Sequence, residues 1–96
     1  LGVATVPLPE EMAAAVGLPV GTGAYVAEVF PGSPAARAGI ERGDILVRAG
    51  GQLLRGTDAL REVIQSRQVG AQITVELLRD GERIEIPVRL GEAPVP

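Results

Sequence analysis

No cysteine, histidine, lysine or tryptophan occurs in these 96 residues. Without histidine and cysteine there is no Ser-His-Asp or Cys-His nucleophilic system and none of the usual zinc ligand sets, and the redox compartment is left open. Without lysine there is no phosphate loop of the GxxxxGK[ST] kind, and Gly21, Gly23, Gly39 and Gly43 do not make a GxGxxG pattern either. Aromatic residues are down to 2%, Tyr25 and Phe30. The core must therefore be built from Val, Ile, Leu and Ala, which favours strands and short helices over an aromatic-lined cavity. No apolar run approaches the roughly 18 residues of a membrane-spanning helix, and no basic segment opens the chain. A chain that opens at Leu1 without methionine is expected to be a fragment of something longer, or a mature or trimmed form.

Positive charge is scarce and dispersed. Nine arginines are spread from Arg37 to Arg89, the net charge is -3 and the isoelectric point is near 4.9. Nucleic-acid binders concentrate basic charge against phosphate, so nucleic acid is set aside as a partner. What is present is ordinary globular composition, 46% hydrophobic against 22% charged, in a length that closes one core. A single domain over residues 1–91 is expected, with 92–96 (EAPVP) as a tail or linker.

Local signals give the order strand, helix, strand, short helix, strand, helix, strand, strand. LGVATV (1–6) is a short strand stopped by Pro7, which lacks an N–H. PEEMAAAVG (9–17) reads as a helix with Pro9 in its first turn, Glu10 and Glu11 at the positive end of its dipole and Gly17 closing it. AYVAEVF (24–30) has strand character, with Val26 and Val29 on opposite sides of the pleat. SPAARAG (33–39) carries an N-cap serine, a proline at the next position and a closing glycine. ILVRA (45–49) is a mostly apolar strand, followed by a Gly50-Gly51 turn. TDALREVIQSRQ (57–68) places Leu60, Val63 and Ile64 on one face, with Thr57 as N-cap.

The last third is a hairpin. Asp80-Gly81 has the composition of a two-residue type I′ loop. Setting Arg79 opposite Glu82 pairs Leu77 with Ile84, Val75 with Ile86 and Ile73 with Val88, which puts every apolar residue on one face. Pro87 must then turn its missing N–H away from its hairpin partner. The whole is α+β, mainly β: a partly open antiparallel barrel or sandwich of five to six strands capped by two or three helices.

No catalytic constellation emerges. Glu10-Glu11 and Asp80 with Glu82 flank a helix start and a turn, where solvated surface charge is the simpler reading. Asp44, between Gly43 and a buried strand, reads as a side chain that fixes the turn. Ser33 has no base to activate it and reads as a cap. No cofactor or metal is expected. Leu1-Gly2-Val3 is a candidate anion-holding turn, because glycine lets the backbone expose consecutive N–H groups.

Taken together, LGV (1–3), EEMAAAVGLP (10–19), VFPGSPAARAGIERGDILVRAGGQLL (29–54), TDALREVI and VELLRDGERIEIPVRL resemble a PDZ domain. The resemblance is to the circularly permuted bacterial type that follows the protease domain of HtrA (Deg) serine proteases. It covers the chain from Leu1 to about Gly91, and PGSPAARAGIERGD is its most specific part. It implies a module that captures C-terminal or unfolded polypeptide segments by β-strand addition. Leu1, Gly2 and Val3 match the carboxylate-binding loop, and Val3, Ala4, Thr5 and Val6 match the edge strand that pairs with ligand. The helix beside it contributes Thr57, Leu60, Arg61 and Ile64, with Leu60 turned more toward the core.

The resemblance further implies an attached serine protease domain, an extracytoplasmic location in periplasm or cell envelope, and a parent protein that other domains could tether to a membrane or assemble into oligomers. The fragment itself is not expected to be an enzyme. Two alternatives stay open: a structural or regulatory domain that packs on its protease or on neighbouring subunits without binding free peptide, and the PDZ domain of a different protease, such as an intramembrane zinc type.

Overall fold

The computed structural model contains, in chain order, β1 (Val3–Pro7), α1 (Glu10–Val16), β2 (Ala24–Val29), α2 (Pro34–Ala38), β3 (Ile45–Ala49), β4 (Gln52–Leu53), β5 (Gln72–Arg79) and β6 (Glu82–Arg89). The structure describes residues 2–19, 21–56, 59–60, 62–63 and 70–90, and Ala59, Leu60, Glu62 and Val63 are helical too. The strands form one open antiparallel sheet in the order β1-β2-β3-β5-β6, with β4 paired to β3. β1 and β6 are the two ends of that order, and the two-residue β4 has β3 as its partner.

The caps expected at α2 and at the end of α1 are in place, and the N-cap expected at Thr57 lies outside the described residues. Ser33 accepts the Ala36 N–H at 3.2 Å, Pro34 is the first helical residue of α2, and Gly39 closes it in a left-handed conformation. Gly17 closes α1 in the same way, whereas Pro9 is the residue before the helix rather than part of its first turn. Its ψ of 145° is extended, so the turn begins at Glu10.

The hairpin adopts the expected register: Arg79 faces Glu82, Leu77 faces Ile84, Val75 faces Ile86 and Ile73 faces Val88. Asp80 and Gly81 both have positive φ, 53° and 80°, as a type I′ loop requires. Counting from the closing pair Arg79–Glu82, Thr74 faces Pro87 at a position that exchanges no hydrogen bonds. The proline nitrogen therefore lies on the outer edge of β6.

Apolar residues pack on both faces of the sheet. The main core joins Ala24, Val26, Leu46, Val75, Leu77 and Val88 to Ala35 of α2 and to Leu60 and Val63. A second, smaller core lies on the other face, where Met12, Ala13 and Val16 of α1 meet Ile45 and Val47. Two side chains depart from simple alternation. Leu78 packs in the second core, so the hairpin's apolar residues do not all share one face. Val26 and Val29 both pack on the main core instead of taking opposite sides. The cause is a bulge: Ala4 faces Glu28 and Thr5 faces Val26, which leaves Ala27 as an extra residue on β2 and resets the pleat beyond it.

An ionic clasp ties the loop after α2 to the end of β5. Asp44, 2% exposed, accepts the Glu41 N–H at 2.8 Å and the Arg79 guanidinium at 2.9 Å (Nε) and 2.7 Å (Nη2). Arg79 also donates to the Gly39 carbonyl at 2.8 Å and approaches Glu41 at 3.1 Å. Asp44 thus fixes its turn as expected, but it also anchors a cation 35 residues away. Hydrogen bonding to Asp44 raises the Arg79 pKa; partial burial opposes this, and the charges of Asp44, Glu41 and Asp80 add to it. A cation whose folded pKa is raised stabilises the fold fully below its unfolded value. This contribution is therefore constant through the neutral range and is lost only under strongly alkaline conditions.

Candidate functional site

The two edges of the sheet are built differently. β6, ERIEIPVR, carries Glu82, Arg83, Glu85 and Arg89, and places Pro87 with its ring nitrogen outward. Charge and proline are the common means of preventing an edge from recruiting another strand. β1, VATVP, has no charge and no proline before its last residue. It is the unprotected edge.

Its outward hydrogen-bonding groups follow from the ladder. The Phe30 N–H donates to the Gly2 carbonyl at 2.9 Å, the bond that brackets a non-exchanging pair, and that pair is Val3 with Val29. The Val3 N–H and carbonyl therefore point away from β2. The bulge lies on β2, so β1 keeps its two-residue alternation and Thr5 presents the next outward set. Among the described residues, the outward backbone groups of Val3 and Thr5 thus lie along the edge without a strand partner.

The side chains of the predicted site are distributed as follows. Gly2, Val3, Ala4 and Thr5 are half-buried, and Val3 packs against the core cluster that contains Leu60 and Val63. Val6 is 43% exposed, and Phe30, just beyond β2, is 47% exposed. Leu60 is buried in the main core. Leu1, Thr57, Arg61 and Ile64 lie outside the described residues.

Gly2 has a φ of 89°, and a Cβ built on it would overlap the Cβ of Ser33 and stand 2.6 Å from its Oγ. No side chain fits there. Sequence reasoning singled out Gly2 for its freedom to turn and Ser33 for its capping hydroxyl, and missed that the two touch. They are far apart in the chain, and no local pattern signals their contact.

An open, mainly-β antiparallel sheet with an uncharged strand at one end and a charged, proline-bearing strand at the other is the scaffold on which the site is built. The PDZ domain family model matches residues 1–90, and the chain belongs to that family. It is 34% identical over 93 residues to the periplasmic serine endoprotease DegP of Escherichia coli (strain K12), a match that covers 97% of this chain and 20% of that protein. The chain thus spans about one fifth of the length of that relative. Among solved structures it superposes on the HtrA-type protease AlgW with decapeptide at a TM-score of 0.82 and 29% identity, covering 100% of this chain and 30% of the other. It superposes on the HtrA3 PDZ domain bound to a phage-derived ligand (FGRWV) at a TM-score of 0.76 and 26% identity, covering 93% of this chain and 81% of the other.

Proposed function

We propose that this domain binds the C-terminal or an extended segment of another polypeptide by taking it up as an additional strand along β1, in the service of a serine protease domain in the same protein. The observation that carries this reading is the contrast between the edges: β1 offers the Val3 and Thr5 backbone groups with no charge and no proline before Pro7 at its end, while β6 carries charges and a central proline. The peptide-bound states of the AlgW and HtrA3 structures support it. The left-handed Gly2 beside the outward Val3 N–H supports a carboxylate seat at that end of the strand, formed by Leu1, Gly2 and Val3. Thr57, Arg61 and Ile64 would form the opposite wall. The periplasmic relative supports an extracytoplasmic location for the parent protein.

A few backbone hydrogen bonds and one or two buried side chains must offset the cost of immobilising a flexible peptide, so binding is expected in the micromolar range. The test is a titration of the domain, extended at its N-terminus, against peptides with a free carboxylate and their amidated twins. Saturable binding that weakens on amidation is expected. Equal binding of both forms removes carboxylate capture, and no saturable binding removes peptide recognition altogether.

A further inference from the structure

Gly2, Phe30 and Ser33 form a closed set of contacts. Phe30 donates its N–H to the Gly2 carbonyl at 2.9 Å, Ser33 donates its N–H to the Phe30 carbonyl at 3.2 Å, and the Ser33 side chain occupies the space where a Cβ of Gly2 would stand. Ser33 is itself held from the other side. Its carbonyl accepts the Arg37 N–H at 3.0 Å, its hydroxyl accepts the Ala36 N–H at 3.2 Å, and Ala35 of the same helix is fully buried. The start of β1 therefore rests on a wall that cannot easily yield.

We propose that Ser33 is a positioning residue for the β1 edge: its Cβ, independently of the capping hydroxyl, backs Gly2 and holds it in the left-handed conformation that aims the Val3 N–H outward. The proposal rests on the reading of that edge as the peptide site. It separates two roles of one side chain, because capping and positioning rank the substitutions in opposite orders. At an N-cap, glycine is tolerated nearly as well as serine, whereas alanine is poor. As a wall behind Gly2, alanine keeps the Cβ and glycine removes it.

The experiment compares Ser33→Ala and Ser33→Gly in the same N-terminally extended domain by thermal unfolding, by titration with a synthetic peptide ending in valine with a free carboxylate, and by hydrogen exchange of the Phe30 amide. Ser33→Ala should melt lower than Ser33→Gly, yet Ser33→Gly should bind the peptide about tenfold more weakly than Ser33→Ala. The Phe30 amide should exchange faster in Ser33→Gly, because its acceptor on Gly2 is no longer held. In a Gly2→Ala background, which should lose binding, Ser33→Gly should recover part of it by relieving the overlap. Affinities that follow the melting order would overturn the proposal. If the unmodified chain binds no peptide, strand addition fails, and the Ser33 role is decided by Phe30 exchange alone: equal or slower exchange in Ser33→Gly refutes it.

Discussion

Replacing Arg79 by methionine, which preserves much of the stem and removes the charge, would leave the Asp44 carboxylate with one hydrogen-bond partner, the Glu41 N–H, instead of three contacts. The Asp44 side chain is 3% exposed, so bulk water cannot replace the guanidinium. Breaking a buried pair by removing one member costs about 3–5 kcal/mol, since the remaining ion is uncompensated. Arg79 itself is 28% exposed, and that partial screening places the expected loss at the lower end, about 3 kcal/mol. For a domain of this length each kcal/mol lowers the melting temperature by roughly 4–8 °C, so a fall of roughly 12–24 °C is expected. Urea unfolding followed by far-ultraviolet circular dichroism, with thermal melts alongside, measures it. The double variant Asp44→Asn with Arg79→Met should be less destabilised than the two single losses added together, because no buried charge is left unpaired. A loss under about 1 kcal/mol for Arg79→Met, or strict additivity in the cycle, would refute the buried-pair reasoning.

Three further outcomes are expected. Thr5→Pro removes an outward N–H from β1, as Pro87 does on β6, and should weaken a free-carboxylate peptide at least about tenfold in calorimetric titration while the fold persists. Leu77→Ala, at a side chain fully buried against Leu46 across the β3–β5 ladder, should cost about 2–5 kcal/mol in chemical unfolding. Gly81→Val puts a β-branched residue at a φ of 80° and should cost about 1–3 kcal/mol, visible as a lower melting temperature without loss of peptide binding.

Much of this was legible along the chain. Ser33-Pro34 and Gly39 bracket α2 because capping chemistry acts within four residues. Asp80-Gly81 set the hairpin register because a two-residue loop leaves one pairing that keeps Leu77, Val75 and Ile73 opposite their partners. The bulge at Ala27 was not legible. AYVAEV contains nothing that distinguishes an alternating strand from one with an inserted residue, and only the pairing of Ala4 with Glu28 and Thr5 with Val26 reveals it. Strand β4 was missed for a related reason: two residues, Gln52 and Leu53, are too few to show a period, though Gly50-Gly51 marked the turn that folds them back on Arg48 and Ala49.

At the candidate site the division is sharper. By itself the sequence determined that a short uncharged strand lies near the start of the chain, though the strand runs from Val3 through Pro7 instead of stopping before the proline, that Gly2 is a point of backbone freedom, and that the motifs around PGSPAARAGIERGD belong to one family of domains. Those features depend on neighbouring residues and travel with the local chain. Which edge of the sheet is bare, which backbone groups of Val3 and Thr5 point outward, that Arg79 closes on Asp44, and that Ser33 backs Gly2 were decided only by the tertiary structure. Each depends on segments brought together from distant positions, and the spacing between them in sequence carries no record of the contact.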